Sequence, residues 1–295
     1  MKPTWIIEHV FADDCERLIN SLQKTNTDYC VVSDPIYEGK WKLYPPEQCV
    51  ITYGSIQFGY LVHREAQWIP GHYCTSEHYR CSVYYNVFGD LLLNYNYFML
   101  PFSELLSKEK LIYGTMGIDD TVFIRPDSGN KTFTGKAVYR SEFEKDYDIF
   151  SMYEPRPEDM CLISEPRNIT HEWRFFVVDN EIVSGSLYKP DHKTIECSAN
   201  TKWRGITKQD NLALDLAKRA VKKVPTYPKQ NDFDAYIWWP DPAWCIDICR
   251  TKHDNYYVLE IGSFSSAGLY HTDTDLLVPA VNAVALKEYD DCFTI

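Results

Sequence analysis

The chain has 295 residues, 45% of them apolar and 24% charged, with a formal charge of -12. A chain of this length hides roughly three quarters of its unfolded surface, so no disulfide or metal staple is needed and one large or two moderate domains are expected. The acidic balance, with no basic stripe, argues against a nucleic-acid binder, which needs clustered Lys and Arg to release counterions. No apolar run reaches the roughly 18 to 20 residues of a membrane span.

The first nine residues carry no secretory apolar region, so a cytoplasmic protein is expected, with its ten cysteines as thiols. None of the cysteines forms a Cys-x-x-Cys pair, and the spacings Cys74 to Cys81 and Cys245 to Cys249 do not repeat as a zinc site would. Residues 11 to 23 place Phe11, Cys15, Leu18, Ile19 and Leu22 at helical spacing, with Asp13, Asp14 and Glu16 in the first turns. The stretch from 30 to 100 reads as short strands and turns broken by Gly and Pro, and its topology has no local signature.

Beyond it, Thr121-Val122-Phe123-Ile124-Arg125-Pro126 reads as a strand that runs into the turn Asp127-Ser128-Gly129. The following loop, through Asn130, Lys131, Gly135 and Lys136, combines cations with glycines whose backbone N–H groups can approach phosphates. It has no Walker ending. Residues 174–178 and 181–185 flank Asp179-Asn180, a two-residue connection suited to a type I′ hairpin. A helix opens at Thr207 and carries Leu212, Leu216, Ala220 and Val221 on one face, and a last helix is expected over 276–287.

Residues 243–249 and 256–261 should pair as an antiparallel hairpin. If Cys249 faces Tyr256, then Asp247 faces Val258 and Cys245 faces Glu260, and the two carboxylates become diagonal neighbours on one face. Two acids in otherwise apolar strands either sit at a solvated sheet face or need a cation, Arg or Lys or a divalent metal. Magnesium takes one or two carboxylates and completes its shell with phosphate and water. In Glu172-Trp173-Arg174, alternation directs the acid and the arginine to one face, as a surface ion pair or a phosphate contact.

In order and spacing these pieces resemble the ATP-grasp superfamily over roughly residues 115 to 270. Phe123-Ile124-Arg125-Pro126 stands where the family has a strand ending in Lys-Pro, with arginine for lysine. Cys161-Leu162-Ile163-Ser164-Glu165-Pro166 is similar to the hinge strand that holds adenine, Glu172-Trp173-Arg174 to the acid-x-Arg hairpin, and Asp247 with Glu260 to the metal-binding acids. The combination resembles a clade found in bacteria and bacteriophages, which would place the protein in a host cytoplasm if it is viral.

The resemblance implies an α+β ATP-grasp fold over residues 115–295, gripping ATP between antiparallel sheets, after a smaller α/β domain over residues 1–114. It implies an ATP-dependent carboxylate-amine ligase that works through an acyl phosphate on an unspecified acid and amine, with ATP and Mg2+ as cofactors and neither membrane nor nucleic acid as partner. A small-molecule phosphotransferase and a non-catalytic nucleotide- or protein-binding module are the alternatives. Arg125, Lys131, Lys136, Glu172 and Arg174 would contact the nucleotide together with Leu162, Ile163, Ser164 and Glu165. Arg174, Lys131 and Lys136 would serve catalysis, and Asp247 and Glu260 the metal. Where most members have Glu-x-Asn, this chain has Glu260-Ile261-Gly262, so the amide ligand to a second magnesium is missing.

Overall fold

The computed structural model describes residues 2–33, 48–130, 132–190, 208–225 and 238–293, so that Lys131 and Thr207 lie outside the described residues. Strand β1 (Thr4–Glu8), helix α1 (Ala12–Lys24), strands β2 (Asp28–Val32) and β3 (Cys49–Tyr53), helix α2 (Ile56–Glu65) and strand β4 (Ile69–Gly71) open the chain. The strands form a sheet in the order β2-β1-β3-β4, with every pairing parallel. Parallel sheets are covered on both faces, which is why β1 and β3 are buried as continuous runs. Trp5, Ile7, Cys49 and Ile51 meet Cys15, Leu18 and Leu22 of α1, whereas Ile6 and Val50 meet Phe58 and Val62 of α2.

Helix α3 (Cys81–Phe88), strand β5 (Tyr97–Pro101), helix α4 (Glu109–Met116), strands β6 (Thr121–Pro126) and β7 (Lys136–Tyr139), helix α5 (Phe143–Ser151) and strand β8 (Met160–Ser164) follow. Their sheet has the order β5-β8-β6-β7 and is antiparallel. Val122, Ile124, Val138, Cys161 and Ile163 face the core built with α4 and α5. Alternation leaves Phe123, Arg125, Leu162 and Ser164 on the opposite face. Strand β5 precedes the expected boundary at residue 114 and yet hydrogen-bonds to β8.

Strands β9 (Ile169–Val178) and β10 (Glu181–Pro190), helix α6 (Lys208–Val221) and strands β11 (Ala243–Thr251) and β12 (Tyr256–Ser263) build a second antiparallel sheet, in the order β10-β9-β11-β12. Asp179 and Asn180 have φ of 48 and 63°, as the type I′ turn requires. One face carries Trp173, Phe175, Trp244 and Ile246 against Ala213, Leu216 and Ala217 of α6. Leu212, expected in that stripe, is 43% exposed, because the buried line runs one position later. Helix α7 (Thr274–Phe293) is longer than the expected 276–287 and still buries Tyr289. It packs Leu277, Val281 and Ala285 on the parallel sheet and on Phe176, Ala243 and Cys245 of the second antiparallel sheet. Among the described residues no helix is long and apolar enough to cross a membrane, and the cysteines are free thiols.

Candidate functional site

The polar end of the second antiparallel sheet is set by its register. From the hairpin turn the pairs run Arg250 with Tyr256, Cys249 with Tyr257 and Ile248 with Val258, and then a bulge brings Asp247 directly opposite Glu260. The expected diagonal arrangement is therefore corrected in two steps. The turn closes through the Thr251 N–H on the Asn255 carbonyl, one residue later than assumed, and Leu259 is an extra residue in β12. On its other side β11 sets Asp247 opposite Arg174, and β10 sets Ser186 opposite Arg174.

Arg174 donates from Nε to Asp247 Oδ1 and from Nη2 to Asp247 Oδ2, both at 2.8 Å, and from Nη1 to the Gly268 carbonyl at 3.2 Å. The pair is buried, Asp247 being 1% and Arg174 8% exposed. Tyr188 and Tyr270 stack at 4.5 Å with 8° between their planes, and the guanidinium carbon lies 5.5 and 5.2 Å from their ring centres. Burial works against the proton on Arg174, but the surrounding groups together, the Asp247 charge first among them, outweigh it and hold the guanidinium charged. The Tyr188 hydroxyl donates to Glu172 at 2.6 Å, and Lys189 Nζ is 2.8 Å from the other Glu172 oxygen. Burial, then the charges of Asp247 and Glu172, push the Tyr188 phenol well above its ordinary value.

From the facing sheet, Arg125 on β6 reaches across to Glu260, Nη2 to Oε2 at 3.1 Å. Arg125, Arg174 and Lys189 thus match Glu260, Asp247 and Glu172 one to one. Phe123 and Tyr97 stand opposite Ser164 on β8, whose hydroxyl is buried without a hydrogen-bond partner among the described residues. The strand segment 160–164 is paired on both sides, so the backbones of Leu162 and Ile163 are occupied within the sheet. Beyond the strand, Glu165 pairs with Arg167 at 2.9 Å. Next to this strand end lies a cleft of about 550 Å³, lined by Thr121 and Tyr139 on one side, Pro166 and Asn168 at the hinge, and Lys252 and Tyr257 on the other.

The turn that opens the glycine-containing loop is anchored on residues 76–82. Asp127 accepts from the Ser82 N–H and hydroxyl, both at 2.7 Å, at the start of α3. Gly129 passes so close to Ser76 that an added Cβ would lie 2.4 Å from its carbonyl oxygen. Lys136 is not brought to the cluster. It stands opposite Ile124, on the helix-covered face, and its ammonium lies 2.8 Å from Asp146 on α5. The sequence pointed to the acids and arginines but missed Tyr188 and Tyr270. Tyr188 was within reach of alternation, two residues beyond Ser186, whereas Tyr270 arrives by a loop with φ of 50° that no pattern announces.

Three comparisons bear on this arrangement. No curated protein matches the chain in sequence. The structure is similar to D-alanyl-alanine synthetase A from Vibrio cholerae, with a TM-score of 0.58 and 11% identity over 98% of each chain. It is similar also to N5-carboxyaminoimidazole synthase from Aspergillus clavatus, crystallised with ADP and 5-aminoimidazole ribonucleotide, with a TM-score of 0.57, 11% identity and coverage of 96% of this chain and 77% of that one. The ADP complex of N5-carboxyaminoimidazole synthetase from Staphylococcus aureus aligns with a TM-score of 0.56 and 12% identity over 95% and 77%. At these identities the similarity establishes the ATP-grasp architecture, two antiparallel sheets facing each other behind a parallel sheet. Residues 110–278 match the family model described as ATP-grasp domain, R2K clade family 2, and the chain belongs to that family.

Proposed function

We propose that the chain is an ATP-dependent ligase of the carboxylate-amine type. The observation that carries this reading is the pairing of two buried or half-buried arginines with two acids at one place, Arg125 with Glu260 across the facing sheets and Arg174 with Asp247 on neighbouring strands of one sheet. A nucleotide suits the donors and the space. The cleft beside the hinge has a volume of about 550 Å³, and on the strand that leads into the hinge the Ser164 hydroxyl is a buried polar atom lacking a partner among the described residues.

Magnesium suits Glu260 better than Asp247. Both are hard oxygen donors facing each other in register. Glu260 has a side-chain exposure of 19%, whereas Asp247 is 2% exposed with both oxygens bound to Arg174. Glu260 would hold the ion with Asp247 beside it. Bound there, magnesium supplies charge neutralisation on the phosphate oxygens.

Phosphoryl transfer requires positioning and charge compensation more than covalent help from the protein. A substrate carboxylate oxygen attacks the γ-phosphorus and ADP leaves. An amine nitrogen then attacks the acyl carbon and phosphate leaves, giving an amide. Arg125 turns from Glu260 to phosphate oxygens in this scheme, since a guanidinium binds phosphate and carboxylate through the same planar fork. Arg174, fixed by its bidentate bond, faces the charge that develops on the acyl phosphate and the tetrahedral species. Glu172 holds Tyr188 against Arg174, and Lys131 and Lys136 flank the loop that would cover the triphosphate. To serve there, Lys136 has to leave Asp146.

Release of ADP in the presence of paired acids and amines tests the reading. The expected result is ADP formation that requires both an acid and an amine. ADP formation with an acceptor but no amine would point instead to a phosphotransferase.

A further inference from the structure

The segment that follows β12 is held from two sides. From the parallel-sheet unit, the Tyr53 hydroxyl donates to the Ala267 carbonyl at 2.7 Å, and Asp14 Oδ2 accepts from the Leu269 N–H at 2.7 Å. Asp14 Oδ1 pairs with Arg17 Nη2 at 2.8 Å, and Arg17 Nη1 donates to the Thr272 carbonyl at 3.0 Å. From the other side, Arg174 grips the Gly268 carbonyl and Tyr270 lies over the guanidinium. Residues 267, 269 and 272 are therefore bound to the first unit, and residues 268 and 270 to the arginine.

This alternation has a mechanical meaning. The Ala267 carbonyl and the Leu269 N–H are fixed on the first unit, and the Gly268 carbonyl between them is held on Arg174, so the anchors on either side set where that carbonyl points. Tyr270 has φ of 50°, a left-handed conformation that a tyrosine keeps only where its surroundings impose it. Asp14 binds the amide immediately before that residue. It is 7% exposed in α1, which places a carboxylate inside the molecule with two donors converging on it, Arg17 and the Leu269 N–H, and the Tyr53 oxygen 3.2 Å away.

We infer that Asp14 is a positioning residue for Arg174, acting through Leu269 to fix the Gly268 carbonyl and the Tyr270 ring on the guanidinium. Its bearing on turnover rests on the role proposed above for Arg174; its bearing on geometry does not. The parallel-sheet unit would thereby set the orientation of an arginine that faces the reacting groups.

The test is the Arg174 Nε–H resonance in 15N-arginine-labelled protein without nucleotide, assigned by its loss in Arg174→Lys. In the wild type this proton is expected to exchange slowly, being buried on Asp247. Asp14→Ala is expected to speed the exchange at least tenfold, whereas Asp14→Asn, which keeps an acceptor for the Leu269 N–H, stays within about threefold of wild type. If Asp14→Ala does not fold, Asp14→Ser, whose hydroxyl falls short of Leu269, carries the same comparison. Exchange within twofold of wild type in a folded Ala or Ser variant overturns the inference. With an acid and an amine that support ADP release, kcat of the Ala or Ser variant should fall at least tenfold and KM for ATP change less than twofold. Unchanged kcat overturns the link to turnover. Accelerated exchange in a protein for which no acid and amine release ADP supports the positioning and leaves the ligase reading to fail on its own.

Discussion

Arg174 and Asp247 form a pair that neither partner can leave without consequence. Deleting one side of a buried ion pair strands the other charge in a low-dielectric setting, at about 3–5 kcal/mol. Arg174→Ala should therefore lower stability by about that amount in urea titrations, and replacing both residues by apolar ones should recover most of it. A loss under about 1 kcal/mol would mean that water reaches Asp247. The acids were legible because ionisable residues in apolar strands demand partners. Which partner each one takes was not legible, since that depends on strands remote in sequence.

His72 and Glu288 show how burial alone shapes pH dependence. Thr52 has one hydroxyl proton, which goes to the Gly71 carbonyl at 3.0 Å, so His72 Nδ1–H donates to Thr52 at 2.7 Å and Nε2 accepts from the Ser266 hydroxyl at 2.9 Å. Burial, then His63, pulls His72 from 6.5 to about 3. The unfolded chain takes up a proton below pH 6.5 that the native state refuses, so stability is lost as pH falls from 6.5 towards 3. Burial pushes Glu288, which accepts from the Tyr73 hydroxyl, from 4.5 to about 7. That contribution is complete below pH 4.5 and is lost as pH rises towards 7. Between about pH 4.5 and 6.5 the two oppose each other, each with up to about 1.4 kcal/mol per pH unit. Glu288→Gln should then gain stability with rising pH across this window and His72→Gln should lose it. Equal slopes in the two variants would contradict both assignments.

Among the elements, hairpins were legible where a turn has its own chemistry. Asp179-Asn180 fixes the register of β9 and β10 at the turn, because few other residues accept two successive positive φ angles. The longer turn between β11 and β12 has no such rule, and the bulge at Leu259 is visible only once both strands are in place. The position of Lys136 was not legible for a related reason: which face β7 turns towards follows from its pairing with β6, and a loop sequence does not encode that. The Asp127-Ser128-Gly129 turn behaves as a packed joint on residues 76–82. Asp127→Ala should cost about 0.5–2 kcal/mol through loss of the bonds to Ser82. Gly129→Ala should cost about 1–3 kcal/mol through its clash with the Ser76 carbonyl, provided thermal unfolding is compared at fixed pH.

The whole molecule is organised around a contact between distant parts of the chain. One core takes Trp5, Cys49 and Tyr73 from the parallel-sheet unit, Phe176 and Cys245 from the second antiparallel sheet, and Leu277 and Val281 from the last helix. The topology of residues 30 to 100 defied reading because parallel strands pair through crossovers, which leave no trace in adjacent residues. The ATP-grasp part was readable because its polar residues come in a fixed order whatever the loops between them. Nucleotide binding is the property on which the functional account depends. Isothermal titration with a non-hydrolysable ATP analogue, with and without magnesium, for the wild type and Glu260→Ala, tests it most directly. The account predicts binding strengthened by magnesium in the wild type, with that strengthening lost in Glu260→Ala. No binding under any condition, or equal magnesium dependence in both proteins, would contradict it.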